Sequence, residues 1–500
     1  MALPDCQHEV GAFLNALAGS APIETHISAV FVGADTVWKL KKAVHLPFVD
    51  FSTLQARHRF LRRELELNRP HAPGIYRDLA AIERGPDGGL AIRPEPESTA
   101  PLDWVLRMAR IPEDAFLDRI AERGGLTPEL LDALGDCVAN DHRARPPIAG
   151  VDSAAALRGV VAEAAESARS VGLAPGTIGR WEADVRRALD EAAEWLNGRA
   201  AAGFVRRCHG DLHLGNLCLW HGAPVPFDAL EFDEALATID VGYDLAFLVM
   251  DVDCRVGRSE ANRLFNRYLA RTGDAAVVRG MPAFLLLRAM VRAYVVAASG
   301  RPEGAGRYLR AASAYLQPEP AVMVAIGGLP GTGKSTQARR LAPVVGPAPG
   351  AVILRSDEIR KRRFGVAPEQ RLPQAAYAPA ADAAVAAELD ELAGTVAAAG
   401  HAVIGDATFL DAGLRAAVAR AAESAGVKFV GVWLRAPLDV LERRIGARRK
   451  DASDAGVDVL RAMAPTSAPP AEWVVVDATD GEAAAAQIAR AVDAARRRPG

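Results

Sequence analysis

One eight-residue stretch constrains the fold of this chain more than any other. Gly328-Leu329-Pro330-Gly331-Thr332-Gly333-Lys334-Ser335 lies between an apolar run, Ala321 to Ile326, and an amphipathic helical pattern. A buried strand that ends in such a loop and continues as a helix wraps backbone N–H groups around a phosphate chain, and the helix N-terminus adds its partial positive charge. Lys334 is then placed to reach the β- and γ-phosphates, and the Ser335 hydroxyl to complete a Mg²⁺ shell, with Thr336 next in the same turn. Residues 328–336 are therefore the expected ATP cradle.

The last 180 residues alternate strand and helix. Segments 321–327, 351–354, 401–406, 428–434 and 473–476 read as strands, and 334–343, 381–399, 411–425 and 437–446 as helices. That spacing predicts an α/β domain with a parallel sheet and helices on both faces. The seam before it, Gln317-Pro318-Glu319-Pro320, predicts a boundary between domains 1–317 and 318–500.

Three features of the second domain belong beside the cradle. Asp406 ends the apolar run His401-Ala402-Val403-Ile404-Gly405 and is either a partner of the metal's water shell or a helix cap. Asp357, in Leu354-Arg355-Ser356-Asp357-Glu358-Ile359-Arg360, stands at the carboxyl edge of a strand, where open α/β sheets bind ligands. It is either the group that accepts a proton from a substrate hydroxyl or a cap for a helix starting at Glu358. Arg443, Arg444, Arg448 and Arg449 form either a lid on ATP phosphates or a solvated face. With these segments, residues 321–500 resemble the small P-loop kinases that phosphorylate hydroxyls, among them gluconate, shikimate, polynucleotide 5′- and zeta-toxin-like kinases.

The first 317 residues read differently. A helix, the run Ala29–Val32, a Gly33-Ala34-Asp35 turn and Thr36–Lys41 predict a helix and a hairpin, followed by a helix from about Leu54 to Leu67 and strands near 90–93 and 104–108. From Asp114 to Leu196 the period is helical, with loops at Pro146-Pro147 and Pro175-Gly176. Phe204–Cys208 and two strands around 217–228 precede more helices to about Leu316. A small β-rich lobe, about 1–110, before a helical lobe, about 111–317, is an α+β, protein-kinase-like plan.

Its chemistry sits in Cys208-His209-Gly210-Asp211-Leu212-His213-Leu214-Gly215-Asn216 and in the strand ending Pro226-Phe227-Asp228. A kinase-type transferase needs an Asp to take the acceptor's proton, then an Asn and a second Asp on Mg²⁺; Asp211, Asn216 and Asp228 supply that order. A metal site on His209 and His213 lacks further ligands at useful spacing. The strings HGDLHLGN, FDALEF and IDVGYDLA resemble the aminoglycoside phosphotransferase-like kinases, which include choline and homoserine kinases. Leu214 stands where that family commonly has Pro, and Phe227-Asp228-Ala229-Leu230-Glu231 replaces an IDWE-like string. The whole chain is similar to a class of bacterial fusions of such a domain with a P-loop kinase.

The resemblance implies a phosphate-binding lysine on the third strand, paired with a helix glutamate. The chain has only seven lysines against fifty-two arginines, and three of the seven are Lys39, Lys41 and Lys42. Lys39 and Lys41 share one face of a strand and Lys42 takes the other. Lys41 is the preferred ATP contact of the pair, Glu64 the preferred partner and Glu66 the second choice. Thr25 to Ser28 stand where a glycine-rich loop would precede the strand.

Composition excludes several classes. The net charge of −3 divides into −6 before residue 321 and +3 after it, too balanced for a nucleic-acid or membrane surface. Five cysteines form no CxxC pair, and the amino terminus lacks a signal pattern, which predicts a cytoplasmic protein. The most apolar stretch, Met281 to Ser299, is broken by Arg288 and Arg292. The expected activity is a bifunctional ATP- and Mg²⁺-dependent phosphotransferase acting on hydroxyls of small molecules: sugars, amino alcohols, aminoglycosides or nucleosides. Its alternatives are one kinase regulated by a nucleotide-sensing second domain, and a polynucleotide-kinase-like end-processing enzyme.

Overall fold

A computed structural model describes residues 2–497 apart from 47–48, 300–301, 316, 318 and 450, so Pro318 of the expected seam lies outside the described residues. Two compact units emerge. One comprises Met1–Leu126, Asp141–Val151 and Arg199–Asp244; the other comprises Thr127–Asn140, Asp152–Gly198 and Leu245–Gly500.

The first unit is built on an antiparallel sheet in the order Ile23–Glu24, Ser28–Val32, Thr36–Lys41, Asp103–Ala109, Tyr76–Arg84, Leu90–Pro94. The turn at 33–35 closes with Gly33 N–H donating to the Thr36 carbonyl at 2.9 Å. Helix Leu54–Asn68 starts where the Thr53 hydroxyl accepts the Ala56 N–H at 3.1 Å, a cap that satisfies one of the orphan donors of its first turn. Leu61 from this helix packs on Leu79, Leu106 and Met108, while helix His8–Ala18 buries Val10 and Leu14 against Phe31, Leu40 and Val105 in a second core cluster. Strand Tyr76–Arg84 is the longest that the sequence conceals. Its Leu79-Ala80-Ala81-Ile82 core is Ala-rich and buried throughout, so no alternation marks it.

Two short hairpin-like pairs complete the unit. Leu217–Trp220 pairs antiparallel with Ala223–Pro226 around His221 and Gly222, both at positive φ, as a tight right-twisted hairpin requires. Val205–Arg207 pairs with Thr238–Asp240.

In the second unit the five-stranded sheet is parallel, in the order Val352–Arg355, Val403–Asp406, Val322–Gly328, Lys428–Arg435, Val474–Asp477. Every residue of the central strand is buried, which explains its unbroken apolar run. Val322, Val324 and Ile326 face helices Lys334–Leu341 and Gly481–Arg497. Helices Pro379–Ala398 and Ala412–Ser424 also pack on this strand, giving the sheet helices on both faces. The remainder is helical. The loop expected at Pro175-Gly176 is instead the first turn of helix Pro175–Glu191, where a proline costs nothing because its N–H would be unpaired anyway. Helix Met281–Ala298 is apolar and long enough to cross a membrane, but 61% of it is buried within the protein.

Leu61 is fully buried between helix Leu54–Asn68 and the sheet. Leu61→Ala is expected to lower stability by about 2–5 kcal/mol, read as a reduced denaturation midpoint with unchanged slope.

Candidate active sites

In the first unit the loop 208–216 is fixed from beneath. Asp244, fully buried, accepts the backbone N–H of His209 at 3.2 Å and of Gly210 at 2.9 Å. Gly210 itself sits at φ +84, and a Cβ there would crowd Leu230 at 3.1 Å. The His209 ring bridges the two active segments: one nitrogen faces the Phe227 carbonyl at 2.9 Å and the other accepts the Asp211 N–H at 3.3 Å. Burial depresses the pKa of His209, which suits a neutral ring between those partners. His213 accepts the Gly215 N–H at 3.0 Å. Both imidazoles are thus engaged with backbone.

Asp211, Asn216 and Asp228 come from two adjoining segments. The Asn216 amide donates to the Asp211 carboxylate at 2.8 Å and to the Asp211 backbone carbonyl at 2.9 Å. Asp228 follows the hairpin in a left-handed conformation, φ +60, which is uncommon for a residue with a side chain. Its N–H donates to the Tyr76 hydroxyl at 2.9 Å, and the next N–H, of Ala229, donates to Asn68 at 2.9 Å.

The lysines close the arrangement. Glu64 receives Lys39 on one carboxylate oxygen at 2.7 Å and Lys41 on the other at 2.8 Å. Lys39 also bonds Asp228 at 2.6 Å, whereas Lys41 bonds Glu231. Lys42, on the opposite face, reaches Glu24 at 2.8 Å and the Thr25 carbonyl at 2.7 Å, at the turn Thr25–Ser28. Glu66 is exposed. The preference for Lys41 therefore meets a different geometry: Lys41 is fully buried between two glutamates, and Lys39 is the lysine beside Asp228. Alternation makes the pair equivalent. Only the tertiary placement of Asp228 and Glu231 separates them. Burial works against the Lys39 charge, but Asp228 and Glu64 outweigh it and hold its pKa well above the ordinary lysine value. Asp228 keeps 42% of its side chain exposed, and the Lys39 ammonium beside it holds its carboxyl below the usual range.

In the second unit the cradle has the backbone it needs. Gly328, Gly331 and Gly333 have φ of +132, +86 and +88, and a Cβ on Gly328 would lie 2.5 Å from the Leu434 carbonyl. Lys334 donates to the carbonyls of Gly328 at 2.9 Å and Leu329 at 3.0 Å, and burial depresses its pKa. A cavity of about 1180 Å³ opens beside it, lined by Pro330 to Thr336, Asp357, Asp406, Arg444 and Arg448, and across from them by Tyr377, Asp451 and Asp454.

Neither aspartate caps a helix. Helix Ser356–Arg363 begins before Asp357, and the helix after Asp406 is capped by Asp411, which accepts the Leu414 N–H at 2.7 Å. Burial pushes the Asp357 carboxyl up. Arg355, to which no role was assigned from the sequence, is the hub of the cavity floor. It meets Asp406 at 3.1 Å, Glu358 at 3.3 Å and Asp451 at 3.0 Å. Its signal was an arginine closing an apolar strand, a place where a charge must be paired. Asp454 binds Lys361 at 2.6 Å, the Tyr377 hydroxyl at 2.5 Å and the Leu372 N–H at 3.0 Å, tying segment 451–454 across the cavity.

The arginine group divides. Arg444 donates to the carbonyls of Ala478 at 2.8 Å and Thr479 at 2.9 Å, and Arg448 faces the cavity. Arg443 does not line it: one helical turn from Asp439, it pairs with that carboxylate at 3.2 Å and is 73% exposed. Arg449 is exposed and bonds local carbonyls.

A family model described as an AAA domain matches residues 323–470. The Mycobacterium tuberculosis (strain ATCC 25618 / H37Rv) protein named "Uncharacterized protein Rv2004c" is 31% identical over 468 residues, 90% of each chain. Among solved structures, choline kinase from Cryptosporidium parvum Iowa II covers 62% of this chain and 94% of its own at 10% identity and a TM-score of 0.39. A gluconokinase from Sinorhizobium meliloti 1021 covers 36% and 96% at 21% identity and a TM-score of 0.25.

Lys41→Met leaves Glu64 and Glu231 buried with one cation fewer, and is expected to destabilise by about 3–5 kcal/mol in urea unfolding. Lys39→Met, at a position that is 12% exposed, is expected to cost clearly less.

Proposed function

The chain belongs to one family with Rv2004c of Mycobacterium tuberculosis, and from that premise we propose that this ATP-dependent kinase phosphorylates small-molecule hydroxyls at two separate sites. In this reading, residues 1–317 and 318–500 are two catalytic domains, and the acceptors are sugars, amino alcohols, aminoglycosides or nucleosides.

The observation that carries the first site is two contact groups, Asp211–Asn216 and Asp228–Lys39–Glu64, joined where Phe227 N–H donates to the Asn216 carbonyl at 3.0 Å. Asp211, whose side chain is 41% exposed, takes the proton of the acceptor hydroxyl as its oxygen attacks phosphorus. Asn216 points its amide nitrogen at Asp211, which leaves its carbonyl oxygen, with the Asp228 carboxylate, as a hard oxygen donor pair of the kind Mg²⁺ takes. Bound Mg²⁺ would neutralise charge on the ATP phosphates. Lys39 exchanges its bond to Asp228 for the phosphates while Glu64 keeps its ammonium in place.

At the second site the cradle 328–336 wraps the phosphates and Lys334 leaves its two loop carbonyls for the terminal ones. Ser335 and Asp406 would hold the metal and its water shell, and Asp406 Oδ2 is buried without a hydrogen-bond partner, 3.1 Å from the Arg355 guanidinium. Asp357 serves as the base toward the acceptor. Arg444 and Arg448 stand on the phosphate side.

The test is a panel of hydroxyl acceptors with γ-labelled ATP. Asp211→Asn is expected to lower turnover at the first site by about 10²–10⁴-fold with nucleotide binding retained. Lys334→Ala is expected to abolish the other product and leave the first. Lys39→Ala should raise the first site's KM for ATP and lower its kcat, and Lys41→Ala, assayed below its melting temperature, should change both much less. A single product from the wild type across the whole panel, or both products lost together in either mutant, would contradict two separate sites.

A further inference from the structure

Strand Val352–Arg355 is the edge of the parallel sheet. An edge strand has one row of backbone groups paired and one row open, and the open row must be covered or solvated. Here Val352 N–H donates inward to the Ala402 carbonyl at 2.9 Å. Ile353 N–H, pointing outward, donates to the Asn266 side-chain oxygen at 2.7 Å. The Ala351 carbonyl, also outward, accepts from Asn266 and from Asn262, each at 3.1 Å, and the Pro349 carbonyl accepts from Asn262 at 3.1 Å. Two side-chain amides thus do what a neighbouring strand would do.

Both amides come from helix Arg258–Thr272, which lies before the Pro-rich seam and is a helical-lobe element by its sequence position. The approach is specific. Asn266 donates to Asn262 Oδ1 at 3.1 Å, so the two amides fix each other's orientation, and Asn262 is 2% exposed. Gly350, at φ +102, admits them: a Cβ there would stand 2.8 Å from the Asn262 nitrogen. Two further contacts bind the same helix to the segment that continues from the strand. Arg362 donates to the Ala270 carbonyl at 3.2 Å, and Arg267 pairs with Glu369 at 2.7 Å. The edge strand ends in Arg355, and Asp357 comes two residues later, so whatever holds the strand holds the acceptor side of the cavity.

We propose that Asn262 and Asn266 are positioning residues of the carboxyl-terminal phosphoryl-transfer site, acting through strand Val352–Arg355. Helix Arg258–Thr272 is accordingly an integral part of that site and not of the amino-terminal kinase alone. The inference rests on the assignment of transfer to the cavity beside Lys334, and the experiment separates the two.

In the full chain, Asn266→Ala removes the acceptor for Ile353 N–H and one donor to Ala351, while Asn266→Asp keeps the acceptor and the size. Hydrogen exchange of residues 352–355, which needs no substrate, is expected to speed at least tenfold in Asn266→Ala and less in Asn266→Asp. Binding of AMP-PNP with Mg²⁺, measured in a Lys39→Ala background, is expected to stay within about threefold, because the phosphate cradle hangs from the central strand. Transfer to the acceptor found for this site should fall at least tenfold in kcat/KM, through acceptor KM and kcat and not through the KM for ATP. Unchanged exchange at 352–355 overturns the proposal, as does faster exchange with unchanged transfer, or loss of AMP-PNP binding along with transfer. If wild type yields no product at this site, the transfer assignment fails by itself, and the exchange result still decides whether the helix secures the strand.

Discussion

The amino-terminal unit turns on one carboxylate. Glu64, with no exposed surface, divides its two oxygens between two ammonium groups, and through them reaches Asp228 on one side and Glu231 on the other. Charges this deep are tolerated only when desolvation is repaid by close, mutual pairing. The network ties a helix, a central strand and the segment after a hairpin into one register. Tyr76 and Asn68 take up the backbone N–H groups that the turn at Asp228 exposes. A strained backbone angle there is held by hydrogen bonds from elements distant in sequence.

The second unit relies on backbone instead. Its loop 328–335 turns at three positive-φ glycines, Gly328, Gly331 and Gly333. Charge is concentrated instead on the floor, where Arg355 touches three carboxylates from three different segments. A planar, always-charged guanidinium suits that position, since it offers several donors in fixed directions. The two units thus differ in where positional information resides: in side-chain ion pairs in one, in main-chain conformation in the other.

That difference explains what could be read beforehand. A backbone cradle leaves its requirement in the sequence as glycines at set intervals, and the loop 328–335 was legible to the residue. Asp211 and Asn216, five apart in the chain, meet in the structure, and Asp228 meets Lys39 beside them. The ranking of Lys39 and Lys41 was not legible, because a period of two fixes a face and says nothing of what stands opposite it. Strand Tyr76–Arg84 escaped because a strand buried on both sides has no alternation to show, and Arg443 because an arginine-rich helix looks alike on its wet and dry faces. Arg355 and the asparagines of helix Arg258–Thr272 depend on partners up to 96 residues away, beyond the reach of any local pattern.

The lysine census carries a further consequence for the outer surface. Lys39 is nearly enclosed, Lys41, Lys42 and Lys361 are buried, and Lys334 is turned into its own loop. Of the described lysines only Lys428 then stands partly in solvent with no such role. Among the described residues, the positive charge that water meets is therefore almost all guanidinium, which stays protonated at any physiological pH and resists acylation. Among the described residues, acetyl donors and amine-directed cross-linkers find almost no side-chain handle. The other described lysine amines are turned inward, where carboxylates take Lys39, Lys41, Lys42 and Lys361 and loop carbonyls take Lys334.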